Sequence, residues 1–186
     1  TIGHTTSETT VADNLTVTGE FAAANFKVAG TNFSNSLLIG HSTTGTLNAA
    51  SYNTAVGIQA LQSITSADEN TVMGYGAGDA ITTGGYNSFF GKNAGTTAIS
   101  GSKNSGFGWG ALKNVTGHRN TGLGDDAGEN IVAGNNNICI GHESGHNITS
   151  GDGNITIGSV DVASATGDKQ FLIADGDDGS VVWITG

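Results

Sequence analysis

The residues whose types could support chemistry are two groups of carboxylates, a histidine pair and one thiol. Asp125, Asp126 and Glu129 lie close together in the chain, and Asp175, Asp177 and Asp178 crowd a glycine-containing turn. Clustered oxygen ligands suit Ca²⁺, but neither run has the nine-residue period of calcium-binding β-repeats, so solvated turns are expected. His142, Glu143 and His146 spread over a single turn, with His118 a more distant neighbour, whereas zinc needs three or four convergent ligands. Cys139 takes a motif position filled by Phe89 and Gly106 elsewhere and reads as a small packing residue. No Gly-x-Ser-x-Gly elbow, phosphate loop or convergent carboxylate pair occurs. The expectation is no enzymatic activity, no metal and no cofactor.

Recognition is the better candidate. The residue after each motif glycine runs Ile58, Tyr75, Lys92, Trp109, Asp125, His142, and the residue before each motif asparagine runs Tyr52, Glu69, Tyr86, Lys103, Arg119. These vary freely on a constant frame, and exposed aromatics suit sugar rings or protein surfaces. Tyr52, Tyr75, Tyr86, Trp109, Lys92 and Arg119 are therefore the receptor-binding candidates, for a bacterial cell-surface glycan or protein. Shielding of coil edges and packing between chains are the competing explanations.

The frame that positions them is a repeat. Asn53–Gly57 (NTAVG) recurs at Asn70, Asn87, Asn104, Asn120, Asn137 and Asn154, at spacings of 17, 17, 17, 16, 17 and 17, and Ser36–Gly40 (SLLIG) fits one period earlier. Three residues past the glycine stands Ala60, Ala77, Ala94, Ala111, Ala127 or Ser144. Seven or eight past it stands Ile64, Ile81, Ile99, Val115, Ile131 or Ile148. Apolar residues two apart point to strands, and the recurrent glycines would cost a helix about 1 kcal/mol each. A coil this short has no room for a crossover helix, so it predicts a β-solenoid with two short strands per coil.

Stacking at about 4.8 Å aligns equivalent positions in columns. The expected core column is Val56, Met73, Phe90, Phe107, Leu123, Ile140 and Ile157, so Phe90→Asp is expected to unfold the central coils. The asparagines Asn53, Asn70, Asn87, Asn104, Asn120, Asn137 and Asn154 are expected to form an amide ladder along the axis. Ala55, Val72 and Phe89 then point outward, and burying them would require association of chains.

The Asn-[Ser/Thr]-x-x-Gly-x-x-Ala pattern over residues 36–160 resembles the YadA-like head repeats of trimeric autotransporter adhesins. That resemblance implies a left-handed parallel β-roll assembled as a homotrimer. The period here is longer than the family's, and Ala replaces its Ser in most copies. Thr10–Gly19 (TVADNLTVTG) and Gln170–Gly186 (QFLIADGDDGSVVWITG) resemble segments of bacteriophage tail fibres, the latter reading as two strands across an acidic turn.

The expected organisation is a lead-in over 1–34, the β-roll over 35–160 and a hairpin cap, or the start of a further fibre segment, over 161–186. The expected role is a structural and host-adhesion segment of a trimeric tail fibre on a virion, with the head of a bacterial cell-surface adhesin as the alternative. A formal charge of −10, from six basic against sixteen acidic residues, argues against nucleic acid. No apolar stretch reaches the roughly 18 residues of a membrane-spanning helix, so no membrane insertion is expected. Regular threonine arrays also occur in ice-binding solenoids, but here the Thr54, Thr71, Ser88, Ser105, Thr121 column gives way to Ile138 and Ile155.

Overall fold

A computed structural model describes residues 26–30, 33–40, 47–175 and 181–185. Within them the chain has no helix and winds as a parallel β-solenoid of about eight turns. Each motif supplies one three-residue strand: β4 (Thr54–Val56), β5 (Thr71–Met73), β6 (Ser88–Phe90), β7 (Ser105–Phe107), β8 (Thr121–Leu123), β9 (Ile138–Ile140) and β10 (Ile155–Ile157). Pairing follows the repeat register, Val56 beside Met73, Met73 beside Phe90, and so to Ile157. Before them come β1 (Phe26–Gly30), β2 (Phe33–Ile39) and β3 (Ala50–Ser51), and after them β11 (Phe171–Asp175) and β12 (Val181–Thr185). β2 and β11 continue the parallel stack, so it runs past residue 160, while β1 and β12 close its two ends by antiparallel pairing. Residues 10–19 and the acidic turn at 176–180 lie outside the described residues.

The expected second strand of each coil is absent. Turns occupy that wall: Ala60 N–H donates to Gly57 O (3.2 Å) and Ile64 N–H to Leu61 O (3.2 Å), while Leu61 N–H reaches the next coil at Ala77 O (3.1 Å). Positive φ at Gln59 (64°) and Leu61 (53°) bends the chain back within so few residues. The facing column is Ile64, Ile81, Ala98, Val115, Ile131 and Ile148, all fully buried. Ile99, read into this column from its size, is exposed; Ala98 keeps the constant distance of seven residues from the glycine.

The asparagine ladder is present and continuous. Asn70 N–H and Asn70 Nδ2 both donate to Asn53 Oδ1 (3.1 Å each), and Asn70 Nδ2 also donates to Gly84 O (3.0 Å). The backbone rung repeats through Asn154. Ser36 Oγ accepts from Asn53 N–H at the first rung, and Gln170 N–H donates to Asn154 Oδ1 at the last. These amides are fully buried and would each be costly without partners. A second ladder, unforeseen from the sequence, runs two residues before the asparagines and points the other way; it is continuous from Gly85 to Asp168 and interrupted before Gly85, which has no side chain to accept from Asp68. Ser102 N–H donates to His118 Nδ1, His118 N–H to Asn135 Oδ1, Asn135 N–H to Asp152 Oδ1 and Asp152 N–H to Asp168 Oδ1.

The buried asparagines also set the pleat, and they invert the expected core. Side chains alternate along a strand, so from an inward asparagine the third motif position turns in and the fourth turns out. Ala55, Val72, Phe89 and Cys139 are the buried ones, whereas Val56, Phe90, Ile140 and Ile157 are only partly covered and Met73, Phe107 and Leu123 are 50, 40 and 49% exposed. Bulk in the fourth column does not mean burial, because so narrow an interior cannot hold a large residue from every coil.

Inside, sizes alternate instead. Large side chains fill the space left by glycines of the same and the adjacent coil: Phe89 beside Gly95 and Gly106, Leu112 beside Gly122 and Gly128, Leu61 and Val72 beside Gly78. A Cβ on Gly78 would meet Ile81 Cδ1 at 2.8 Å and Val72 Cγ1 at 3.3 Å; one on Gly95 would enter the Phe89 ring. Phe89→Gly is expected to cost about 3–5 kcal/mol in urea denaturation. Gly95→Leu in the wild-type chain is expected to destabilise as well, because its side chain would enter the space that the Phe89 ring fills.

Candidate functional site

The groups suited to chemistry sit on the coils begun by Asn120 and Asn137, where side-chain partners within the chain engage them. Glu129 bridges Lys113 Nζ (2.8 Å) and His146 Nε2 (3.1 Å), and His142 Nε2 lies 3.8 Å from Asp125 Oδ2 and 3.9 Å from Glu143 Oε1. The hydrogen bond that Lys113 donates to Glu129 raises the pKa of Lys113 despite partial desolvation. Among the described residues no three His, Cys, Asp or Glu side chains converge on a position for a metal ion. Cys139 is fully buried beside Thr156, and burial pushes its thiol up to about 11, which removes the thiolate that nucleophilic chemistry needs. Of the C-terminal trio, Asp177 and Asp178 lie outside the described residues, and β11 ends at Asp175.

Asp126 is the group under most electrostatic pressure. Its Oδ1 is buried against Gly110 of the preceding coil and has no hydrogen-bond partner. Desolvation, then Glu129, then Asp125 raise its pKa above the ordinary carboxylate value of 3.8. That burden belongs to a side chain at a positive-φ corner (φ 49°).

The surface built from the repeat is more organised. On the outer side of the parallel sheet the second and fourth motif positions form two parallel columns, one of Thr and Ser, the other Val56, Met73, Phe90, Phe107, Leu123, Ile140 and Ile157. Phe90 and Phe107 stack with centroids 4.9 Å apart and planes 3° from parallel. The Thr/Ser column, sharing the face with the expected core column, therefore also faces outward. Its neighbour's residues differ widely in size, so the face is not the flat uniform array that an ice lattice would match.

The six receptor-binding candidates are all exposed, and they occupy the two ends of the strands. Tyr52, Tyr86 and Arg119 precede their asparagines; Tyr75, Lys92 and Trp109 follow their glycines. Within the chain they are linked along the axis. Lys92 Nζ sits 5.9 Å from the Tyr75 ring centre, Lys103 Nζ 5.8 Å from that of Tyr86, and Lys113 Nζ 5.9 Å from that of Trp109. Glu69 beside the Tyr86 hydroxyl raises the phenol pKa, chiefly by repelling the phenolate. Tyr52, Glu69 and Thr71 line a shallow, open depression of about 420 Å³. The outward apolar column was the feature missed in the sequence. Counting the alternation from the asparagine, rather than from residue size, would have found it.

Because Asp126 is easier to protonate in the folded chain, its contribution to stability is complete below pH 3.8 and is lost as pH rises through its raised pKa. Asp126→Asn is therefore expected to melt above the wild type at pH 7, with the difference closing as pH falls through that range. No family model, curated protein or solved structure matches the chain.

Proposed function

We propose that the chain is a non-enzymatic structural segment of a homotrimeric fibre, of the tail-fibre kind that carries a virion's host-attachment apparatus. The observation that carries this reading is the uninterrupted apolar column on the outside of the sheet. Seven residues stacked at about 4.8 Å give a greasy ridge about 30 Å long, with Met73, Phe107 and Leu123 each 40% exposed or more. Scattered apolar residues on a surface are ordinary, whereas a contiguous row repeated in every coil marks an interaction surface. The core needs none of these side chains, so selection for folding a single chain leaves the column unexplained. Lateral packing of chains about a common axis buries it.

The number three comes from the resemblance to trimeric adhesin heads, and the tail-fibre assignment from the resemblance of the terminal segments. Enzymatic work is disfavoured by the engaged carboxylates, the buried thiol of high pKa and the shallow surface. The head of a bacterial adhesin would share the same coil, and would differ in having a membrane anchor elsewhere in its gene.

Light scattering on the purified chain is expected to give the mass of three copies; a monodisperse monomer would refute the fibre reading. Phe107→Asp and Leu123→Asp should dissociate the assembly while leaving the β-rich circular dichroism spectrum in place. Phe89→Asp, by contrast, should unfold the coils, because it puts a charge in the buried column at a cost of several kcal/mol.

A further inference from the structure

We infer that the variable columns at the two strand ends form the seams between chains, each pairing with the opposite column of the neighbouring copy at the same coil. This rests on the lateral assembly proposed above and adds to it the pairing of particular residues. The residue before the asparagine and the residue after the glycine stand at opposite ends of one strand, with the apolar column between them. Rotation about an axis parallel to the stack keeps every copy at the same height. One end of a strand then meets the other end of the same strand in the next copy, as any closed ring with head-to-tail interfaces requires.

The pairs this creates are complementary coil after coil. Glu69 meets Tyr75, a carboxylate accepting from a phenol. Tyr86 meets Lys92, and Trp109 meets Lys103, each an ammonium facing an aromatic ring. Arg119 meets Asp125, an ion pair. Tyr52 meets Ile58, apolar against apolar. No like charges face each other, although the individual columns mix acids, bases and aromatics without order. A slip of one coil in one direction would set Lys92 against Lys103; a slip in the other would set Arg119 against His142 but would also pair Glu69 with Lys92 and Lys103 with Asp125, so the register rests on the equal heights that rotation imposes and not on charge alone.

Two further observations point the same way. Arg119 is exposed and has no ion-pair partner among the described residues. The column before the asparagine also holds large side chains where the backbone resists them, with φ of 58° at Tyr52, 61° at Tyr86, 62° at Lys103 and 59° at Arg119. Glycine would sit there without strain, and Gly153 does so at 68°. Retaining bulky and charged residues at strained positions implies a use for the side chains. The use assigned here takes Tyr52, Tyr75, Tyr86, Trp109, Lys92 and Arg119 away from a receptor and gives them to the assembly.

The test uses the whole chain and reads mass, covalent linkage and cell binding. Arg119→Asp and Asp125→Arg should each weaken the trimer at least tenfold in dissociation midpoint, with the circular dichroism spectrum unchanged, and the double variant should restore wild-type mass. Arg119→Cys/Asp125→Cys should give covalent trimers on a non-reducing gel after mild oxidation, with Cys139 buried and silent and each single cysteine giving no covalent trimer. A wild-type trimer indifferent to both charge reversals and free of the cross-link overturns the seams and leaves the fibre reading standing. A wild-type monomer removes both. Single variants that keep trimer mass but lose binding to bacterial cells overturn the seams in favour of a receptor surface.

Discussion

Every other feature of this molecule depends on the buried amide ladder. An asparagine side chain can accept from the backbone and the amide of the coil above while donating to a carbonyl of its own coil. Seven in succession accept from the following backbone N–H, and all but Asn87 accept from the following amide as well, the row being ended by Ser36 on one side and Gln170 on the other. Hydrogen bonds made away from water must be satisfied or they destabilise, so each asparagine fixes the height and the rotation of its coil relative to the previous one. The alternation of the strand then follows from the inward asparagine, and so does the division into a buried third position and an outward fourth.

This constraint explains why the chain needs so little hydrophobic material. The interior is narrow, and volume is exchanged between neighbouring positions, Phe89 against Gly95 and Gly106 and Leu112 against Gly122 and Gly128, instead of being built up in layers. Large residues that do not fit go outside, where they form the ridge. Among the described residues the strand-end columns mix charge and aromatic character, while the outer column between them stays apolar and varies only in size.

Much of this was legible in the sequence because a period of 17 is unmistakable and asparagine has few structural uses at a fixed place in a glycine-rich coil. The parallel solenoid, the stacked columns and the amide ladder followed from spacing alone. The direction in which the columns face did not follow, because hydrophobic size was used as a proxy for burial, and in a narrow coil that proxy reverses: Phe90 and Met73 are outside while Ala55 and Ala98 are inside. The second wall was misread for a related reason, since Ile or Val once per coil is compatible with a turn as well as with a strand. The outer ladder through Ser102, His118, Asn135 and Asp152 is not legible as a repeat because its acceptors mix Ser, His, Asn and Asp, alike only in being able to accept a hydrogen bond from the backbone.

The opposed directions of the two ladders bear on how such a shaft can change length. At each asparagine a coil donates to the preceding coil, and two residues earlier in the chain it donates to the following one. Excising or duplicating a stretch from one asparagine to the next leaves the inner chain of bonds with matching ends, so the molecule can be lengthened or shortened by whole turns without a new junction being invented. The fit of neighbouring core sizes, and a side-chain acceptor on the outer ladder, restrict which turns may be joined. The 16-residue spacing from Asn104 to Asn120, crossed by a rung of each ladder, shows that even the turn itself tolerates the loss of one residue.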